Sequence, residues 1–422
     1  MKKVSFYTLG CKVNTYDTTY MQELFLNDGF DVVDFGQPCD IVVVNTCTVT
    51  GTADKKSRAI VRRAAKNGKV IVAGCMAQKR AEQVLAMDGV NAVIGTDDRS
   101  KIVTVAKSIL SGESNINATH DIGSCGFEQM QVKTSGNRTR STIKIQEGCN
   151  CFCSYCIIPY VRGRSRSKKL NVIITEATAI ANGGAKEIVL TGIHIASYED
   201  GDYGLADVVS SLDKLNVRIR LGSIDLGVLG SEFVRKISTA KNLCPHFHLS
   251  LQSGSQSVLQ RMNRNYTPEA FMAFVTLLRE NFDKPAITTD IITGFPGETE
   301  EEFADTMSFA ANAAFARIHV FPFSAREGTK AFDMIPKIPT NIARKRANEL
   351  IALGETLESN YLMSMQGKTD NVLFEEESKV FKGLAEGYSS RYIRVAANAQ
   401  INECKQVVLG DISNKTMQGE LI

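Results

Sequence analysis

Four of the eleven cysteines in this 422-residue chain lie within eight residues. They stand in the segment GCNCFCSYC, where Cys149, Cys153 and Cys156 have the spacing C-x3-C-x2-C. Three thiolates on one tight loop suit an iron–sulfur cluster that leaves one iron open to an outside ligand. Structural zinc prefers two well-separated pairs of ligands, and bacterial ferredoxins space their cysteines differently, so we favour the open cluster. Cys151 could compete as a ligand, but Cys149 gives the three-residue gap, and we treat Cys151 as a bystander.

Three further cysteines, Cys11, Cys47 and Cys75, each follow a short apolar segment with the composition of a β-strand. They are separated along the chain by about the length of one βαβ unit. The carboxyl ends of parallel strands meet at one edge of a sheet, where ligands bind in open α/β folds. These thiols can therefore hold a second open cluster, but three buried core cysteines fit the pattern equally well. The cysteines at positions 39, 125, 244 and 404 show no such geometry, and we interpret them as structural or incidental.

The elements that would position the dispersed cysteines alternate between strands and helices over residues 1–110. Short β-branched runs, VSFYTLG, IVVVNT and KVIVAG, are separated or followed by helical stretches at 15–27, 53–67 and 78–87. This alternation predicts a parallel sheet with right-handed crossovers. The next segment, 111–138, is polar and weakly periodic, so we predict a linker there.

A second alternating series spans residues 139–366 and contains the cysteine loop. Its strands read TIKIQEG, EIVLTGIH, VRIRLGSID, HFHLSLQSGS, AITTDIITGFPG and RIHVFPFS, and six β/α units predict a partial (β/α)6 barrel. In HFHLSLQ the apolar Phe247, Leu249 and Leu251 alternate with polar residues. Because helices cover the outside of such a barrel, we expect the apolar face outside and the polar face around an open cavity.

The last segment, 367–422, changes to short strands separated by turn residues. These strands read NVLFEE, KVFKGLAEGY, RYIRVAA, KQVVLGDI and MQGELI. The pattern predicts a small all-β barrel of the OB type. The fold class is therefore α/β with a terminal all-β module.

The composition is that of a globular protein, with 43% hydrophobic and 23% charged residues. The longest apolar runs are far shorter than a membrane span, and the first residues lack the apolar core of a signal peptide. We therefore expect a cytoplasmic protein with no membrane partner, whose free thiols serve metal binding or catalysis.

The formal net charge is only +3, so binding of a nucleic acid would depend on local patches. Basic residues follow the cysteine loop in VRGRSRSKK, and the terminal module contains RYIR, which interleaves basic and aromatic residues. Such runs are usually solvated surface, but the first adjoins the expected cluster and both suit phosphate contacts. The candidate RNA-binding residues are Arg162, Arg164, Arg166, Arg391 and Arg394.

The chain resembles the radical S-adenosylmethionine methylthiotransferases over nearly its whole length. The cysteine loop is similar to the radical S-adenosylmethionine signature, and the dispersed cysteines match the family's amino-terminal set. The segments that carry the resemblance are TLGCKVNTYD, VVVNTCTVT, VAGCMAQ, QEGCNCFCSYCIIPYVRGRSRS, LTGIHIASY, HLSLQSGS, DIITGFPGET and VFPFSAREGT. Within the family, CKVN and IIPYVRGRSRS are most similar to the branch that modifies N6-threonylcarbamoyladenosine at position 37 of tRNA.

The resemblance implies two [4Fe-4S] clusters, a radical S-adenosylmethionine barrel and a terminal module similar to TRAM. The loop cysteines would hold the cluster whose open iron binds S-adenosylmethionine, which one electron cleaves to methionine and a 5′-deoxyadenosyl radical. The dispersed cysteines would hold an auxiliary cluster, which supplies sulfur that a second S-adenosylmethionine methylates. The radical removes hydrogen from carbon 2 of the adenine, and methylthio replaces it.

The same resemblance implies partners and cofactor contacts. The substrate would be the anticodon stem-loop of tRNA, and an electron donor such as a flavodoxin or ferredoxin would reduce the enzyme. Asp225 and Leu226 stand where the family has Glu and Pro. The alternatives are sister enzymes acting on isopentenyladenosine or on a ribosomal-protein aspartate, a non-enzymatic iron–sulfur electron carrier, and a metal-stabilised RNA-binding protein. The implied cofactor-binding residues are Thr191, Gly192, Gln252, Ser253 and Asp290.

Overall fold

The amino-terminal region is built on a sheet of six parallel strands. The structure is a computed structural model that describes residues 1–123, 125–132 and 139–422. The central strands are buried on both faces, which is why they read as continuous runs of valine and isoleucine. The strands are β1 (Lys3–Thr8), β2 (Asp31–Val33), β3 (Ile41–Thr46), β4 (Lys69–Gly74), β5 (Val90–Ile94) and β6 (Ile116–Ala118), in the sheet order β2-β1-β3-β4-β5-β6. The helices are α1 (Lys12–Asn27), α2 (Gly51–Ala64), α3 (Cys75–Lys79), α4 (Ala81–Leu85) and α5 (Ile102–Leu110), with a 3-10 turn at Arg99–Lys101.

The sheet continues beyond residue 110, into the segment for which the sequence predicted a linker. Strand β6 pairs with β5, and Met130 and Val132 pack against Tyr16 of α1. A three-residue strand and two isolated apolar side chains are too short to show a periodicity in the sequence. Of the predicted linker 111–138, Ser124 and residues 133–138 lie outside the described residues.

Residues 139–366 form the predicted partial barrel of six β/α units. Its strands are β7 (Arg140–Lys144), β8 (Gln146–Glu147), β9 (Arg166–Ser167), β10 (Glu187–Thr191), β11 (Glu199–Asp200), β12 (Tyr203–Gly204), β13 (Arg218–Leu221), β14 (Ser223–Ile224), β15 (His246–Gln252), β16 (Ala286–Thr293) and β17 (Arg317–Pro322). Two parallel sheets, β13-β10-β7 and β14-β15-β16-β17, form the barrel wall, and Gly222 joins β13 to β14. Strands β8 and β9, and β11 and β12, form two short antiparallel pairs.

Helices cover the outside of this wall, as expected. They are α6 (Ile158–Arg162), α7 (Leu170–Asn182), α8 (Leu205–Leu212), α9 (Ser231–Ile237), α10 (Gln256–Arg261), α11 (Pro268–Asn281), α12 (Glu300–Ala313), α13 (Lys330–Asp333) and α14 (Thr340–Met365), with 3-10 turns at Ile195–Ser197, Asp213–Leu215 and Leu226–Val228. Phe247, Leu249 and Leu251 are fully buried in the core that these helices share with the strands. The alternating His246 and His248 line a cavity inside the barrel. The predicted orientation of the two strand faces is therefore confirmed.

A closed five-stranded barrel ends the chain, in agreement with the predicted all-β module. Its core packs against Leu362 and Met365 at the end of α14, so this helix joins the two barrels. Among the described residues, no helix is both long and apolar enough to cross a membrane, and this includes the 26-residue α14. The strands are β18 (Thr369–Glu377), β19 (Ala385–Ser389), β20 (Arg394–Ala397), β21 (Cys404–Ser413) and β22 (Thr416–Leu421), in the order β18-β19-β20-β22-β21.

Candidate metal centres and cavity

The cysteine loop lies between β8 and α6 and is fixed by hydrogen bonds from outside the loop. Gly148 opens it with a φ of 70°, and a Cβ at this position would lie 2.0 Å from the carbonyl oxygen of Arg164. The amide of Asn263 donates to the carbonyl oxygens of Cys151 and Phe152, each at 3.1 Å. The backbone N–H of Cys156 donates to the carbonyl of Cys153 at 3.0 Å, which closes a tight turn. The loop is therefore held in shape by the protein itself.

Arg264 supplies a positive charge to this loop that the sequence did not reveal. Its Nη1 donates to Cys153 Sγ at 3.2 Å, and its Nη2 pairs with the carboxylate of Asp225 and donates to the carbonyl of Ser250 at 3.1 Å. Burial raises the pKa of the Cys153 thiol, and it raises that of Cys156 to about 12. Metal binding requires thiolates, so a buried cation beside Cys153 favours the ligand form. Asp225 holds this arginine in place.

Cys151 lies closer to the other ligands than its assignment as a bystander suggested. Its backbone N–H donates to Cys149 Sγ at 3.4 Å, and its own Sγ lies 3.9 Å from Nδ1 of His194. The ligand atoms of Cys149, Cys151 and His194 all lie within 4.8 Å of one another. A hydrogen bond from Cys151 lowers the pKa of the Cys149 thiol. The ligand set Cys149, Cys153 and Cys156 stays a prediction.

The dispersed cysteines follow the carboxyl ends of three neighbouring strands. Cys11 follows β1 and caps α1, Cys47 follows β3, and Cys75 opens α3 after β4. A Cβ at Gly10 would lie 3.1 Å from Cys47 Sγ, so the carboxyl ends of β1 and β3 approach closely. Burial raises the pKa of Cys75 to about 11, and the Cys11 and Cys47 thiols act on it in the same direction. Cys47 and Cys75 are buried whereas Cys11 is exposed, which fits an open ligand set better than three core cysteines.

Arg162 connects this second cysteine set to the barrel. Its Nε donates to Cys75 Sγ at 3.2 Å, and its Nη1 donates to both carboxylate oxygens of Glu147 at 2.9 Å. Burial alone would raise the pKa of Glu147, but Arg162 and Lys144 hold it well below its ordinary value. Asp17 of α1 joins the network through Lys144 at 2.7 Å. Arg162 is 0% exposed, so its predicted role in RNA binding is wrong: its charge is used inside the protein.

The other predicted RNA-binding arginines differ in their exposure and in their partners within the protein. Arg164 is exposed and stacks on the ring of Phe152, 4.5 Å from the centroid. Arg166 is half-buried and donates to the carbonyls of Arg162 at 2.6 Å and Arg164 at 3.1 Å. Arg391 pairs with Asp370 at 3.3 Å and donates to two backbone carbonyls of the partial barrel. Arg394 pairs with Glu386. RNA contact by these four residues stays a prediction.

A cavity of about 820 Å³ lies inside the barrel and is bordered by all three regions of the chain. Gly10 and Lys12, the neighbours of Cys11, line one side, and residues 391–394 and Lys415 of the terminal barrel line another. Burial and the charge of Arg220 lower the pKa of His246 well below its ordinary value, so its imidazole is neutral at pH 7. The volume is in the range of small-molecule pockets. The barrel strands contribute Arg220, Leu221, Gly222, Ser223, His246, His248, Ala286, Thr288, Asp290, Arg317, His319 and Phe321.

Four of the five predicted cofactor-binding residues lie at or just after strand ends of the partial barrel, and Asp290 lies within β16. Thr191 ends β10 and Gly192 follows it, and a Cβ at Gly192 would lie 2.9 Å from the carbonyl of Gln146. Gln252 ends β15 in a left-handed conformation, with a φ of 69°. Asp290 lines the cavity, where Nε2 of His248 lies 3.2 Å from its carboxylate. Ser253 is fully buried and its hydroxyl lies 3.1 Å from that of Thr306, so its side chain is used in packing.

Comparison with known proteins places both cysteine sets within matched families. Residues 3–95 match the Uncharacterized protein family UPF0004, and residues 143–310 match the Radical SAM superfamily. The threonylcarbamoyladenosine tRNA methylthiotransferase MtaB of Bacillus subtilis (strain 168) is 39% identical over 406 residues, 94% of this chain and 90% of the relative. The tRNA-2-methylthio-N(6)-dimethylallyladenosine synthase of Fusobacterium nucleatum is 32% identical over 431 residues, 96% of this chain and 98% of the relative. The radical S-adenosylmethionine methyltransferase TsrM from Kitasatospora setae shares the fold, with a TM-score of 0.60 at 14% identity, over 79% of this chain and 74% of that one.

The cysteine loop on a partial barrel and the matched superfamily define the class of protein. It is a radical S-adenosylmethionine enzyme, a class that binds a [4Fe-4S] cluster and S-adenosylmethionine. Because relatives of this identity cover nearly the full chain, it belongs to the methylthiotransferase family.

Proposed function

We propose that this enzyme replaces the hydrogen on carbon 2 of N6-threonylcarbamoyladenosine, at position 37 of tRNA, by a methylthio group. S-adenosylmethionine is both the methyl donor and the radical source. The observation that carries the proposal is the 39% identity, over 94% of the chain, to a methylthiotransferase named for this nucleoside. The polar walls of the cavity support the same substrate, because threonylcarbamoyl carries a carboxylate, a hydroxyl and a urea group, whereas isopentenyl is apolar.

Two groups of three cysteines fit two [4Fe-4S] clusters. Cys149, Cys153 and Cys156 would hold one, and Cys11, Cys47 and Cys75 would hold the other. When bound, the first supplies the electron that cleaves S-adenosylmethionine, and the second supplies the sulfur. The donor sets fit these clusters because each offers three soft ligands near one buried arginine that favours the thiolate form.

The chain's own residues bind, orient and shield the reacting base. Adenosine 37 is single-stranded beside the anticodon, so it is extruded more readily than a paired base. The cavity then encloses it between the barrel strands and the neighbours of Cys11. The exposed Arg164 and the cavity-lining Arg394 are the predicted arginines best placed to contact the RNA backbone. The electron donor is a flavodoxin or ferredoxin, and the enzyme acts in the cytoplasm.

Substrate competition tests the proposal directly. Purified, reconstituted enzyme is offered tRNA that carries threonylcarbamoyladenosine, tRNA that carries isopentenyladenosine, and the ribosomal protein whose aspartate a sister enzyme modifies. Nucleoside and peptide mass spectrometry should find methylthio addition on the first substrate alone. Addition to either of the others, with none on the first, would contradict the substrate assignment and leave the methylthiotransferase chemistry in place.

A further inference from the structure

The cavity walls carry six cationic side chains but only two carboxylates, Asp290 and Glu358. Five of the six cations form ion pairs inside the protein, so their charges are already balanced in part. These pairs are Arg220 with Glu187, Arg317 with Glu358, Arg391 with Asp370, Arg394 with Glu386, and Lys415 with Glu358.

Lys12 is the sixth cation and differs from the other five. Within the described parts of the chain, its ammonium group forms no hydrogen bond or ion pair, and its side chain is exposed to the cavity. Burial lowers the pKa of the Lys12 ammonium, the like charges of Arg220 and Arg140 act in the same direction, and Glu187 opposes them. An unpaired ammonium in a positive environment is ready to bind an anion from outside the protein.

Lys12 also follows Cys11 directly, at the first position of α1. Carbon 2 of adenine must approach the dispersed cysteines to receive sulfur. On the adenine ring, carbon 2 and the N6 substituent flank the same nitrogen, N1, on one edge of the base. A substituent on N6 therefore reaches toward the residues beside Cys11 when carbon 2 faces this cysteine set.

We propose that Lys12 binds the carboxylate of the threonylcarbamoyl group and thereby selects the substrate. This inference rests on the proposed function, and it adds the residue that recognises the threonylcarbamoyl group. A neutral isopentenyl group cannot pair with the ammonium and would desolvate it without compensation. Selection by an unpaired polar group is stronger than selection by the shape of an apolar pocket.

Binding of matched stem-loop RNAs tests this role without depending on turnover. Three anticodon stem-loops differ only at adenosine 37: threonylcarbamoyl, its neutral methyl ester, and no modification. Reconstituted wild-type enzyme should bind the carboxylate form more tightly than the ester. Lys12→Gln should reduce this preference by roughly tenfold or more, as expected for loss of a charge-assisted hydrogen bond. Lys12→Arg should keep most of the preference.

Lys415→Gln is the matched control, because Lys415 faces the same cavity but is paired with Glu358 at 2.9 Å. This variant should change the affinities for all three RNAs by the same factor. Iron content must be equal in all variants, which excludes an indirect effect through Cys11. If Lys12→Gln weakens binding of all three RNAs equally, Lys12 is a backbone contact and the inference is wrong. If the wild-type enzyme binds the threonylcarbamoyl stem-loop no more tightly than the unmodified one, the proposed function itself is wrong.

Discussion

The two cysteine sets share one contact but are built in different ways. In each set a buried arginine donates to one sulfur at 3.2 Å, Arg264 to Cys153 and Arg162 to Cys75. The loop set lies within eight residues and takes its shape from local turns. The dispersed set exists only when the ends of β1, β3 and β4 are aligned in the folded sheet. The loop set is thus defined by one short segment of the sequence, whereas the dispersed set is defined by the order in which the strands are arranged in the sheet.

The two arginines are also anchored differently. Arg264 is held by Asp225 and by the carbonyl of Ser250, which both belong to the barrel. Arg162 is held by Glu147 of the barrel, while Asp17 of α1 lies 3.4 Å from its Nη2. The dispersed set therefore depends on contact between the amino-terminal sheet and the barrel, and the loop set does not. Variants that separate these dependencies test the comparison.

Removing whole cysteine sets should have the largest effect. Replacing Cys149, Cys153 and Cys156 with alanine should abolish cleavage of S-adenosylmethionine. Replacing Cys11, Cys47 and Cys75 should leave cleavage intact and abolish methylthio product. Each triple variant should retain about four of about eight irons per chain after anaerobic reconstitution. Iron analysis and 5′-deoxyadenosine detection check this, and methylthio product from the second variant would contradict the division of roles.

Breaking the charge network between the sheet and the barrel should have the next largest effect. Arg162→Met leaves the buried carboxylate of Glu147 with less compensation, which should destabilise the protein by about 3 kcal/mol. Chemical denaturation measures this loss. The variant should also lose iron from the dispersed set before the loop set. Arg264→Met is the matched control, and the same loss from both sets in both variants would remove the distinction between them.

The difference between the two sites also explains what the sequence could predict. The spacing of Cys149, Cys153 and Cys156 identifies a candidate cluster without knowledge of the fold, because the ligands are close along the chain. The dispersed set required the inference that three strands run parallel, and β1, β3 and β4 confirm that inference. Period-two alternation in β15 likewise predicted which face would line the cavity, and the structure confirms it.

Such sequence patterns could not predict polar partners that are distant along the chain. Arg162 stands in a basic run that looks like solvated surface, yet its partners Glu147 and Asp17 come from a short strand and from α1. No periodicity links these positions, because a buried ion pair is defined by tertiary contact. Arg264 was missed for the same reason. The polar Asn14 and Asp17 on the buried face of α1 were local signals of an internal partner.

A smaller effect is expected when the anchor of Arg264 is weakened. Asp225→Asn removes the charge that orients this arginine toward Cys153, and changes to such outer partners typically cost about tenfold in metal affinity or activity. Cleavage of S-adenosylmethionine should fall by roughly this factor, while iron in the dispersed set stays unchanged. Asp225→Glu restores the charge and should recover part of the rate. Equal loss of iron from both sets would show that Asp225 acts on stability alone.

The smallest effect is expected at Cys151. Its backbone N–H donates to Cys149 Sγ at 3.4 Å, and alanine retains this donor although it loses the thiol hydrogen bond that lowers the pKa of Cys149. Its thiol lies 3.9 Å from His194, a weak contact whose loss should cost little. Cys151→Ala should therefore keep both clusters and cleave S-adenosylmethionine at nearly the wild-type rate, whereas Cys149→Ala should not. Loss of about half of the iron in Cys151→Ala would place Cys151 in the ligand set instead of Cys149. The three-residue gap would then fail to identify the ligands in the loop, and the loop set would be no easier to predict than the dispersed set.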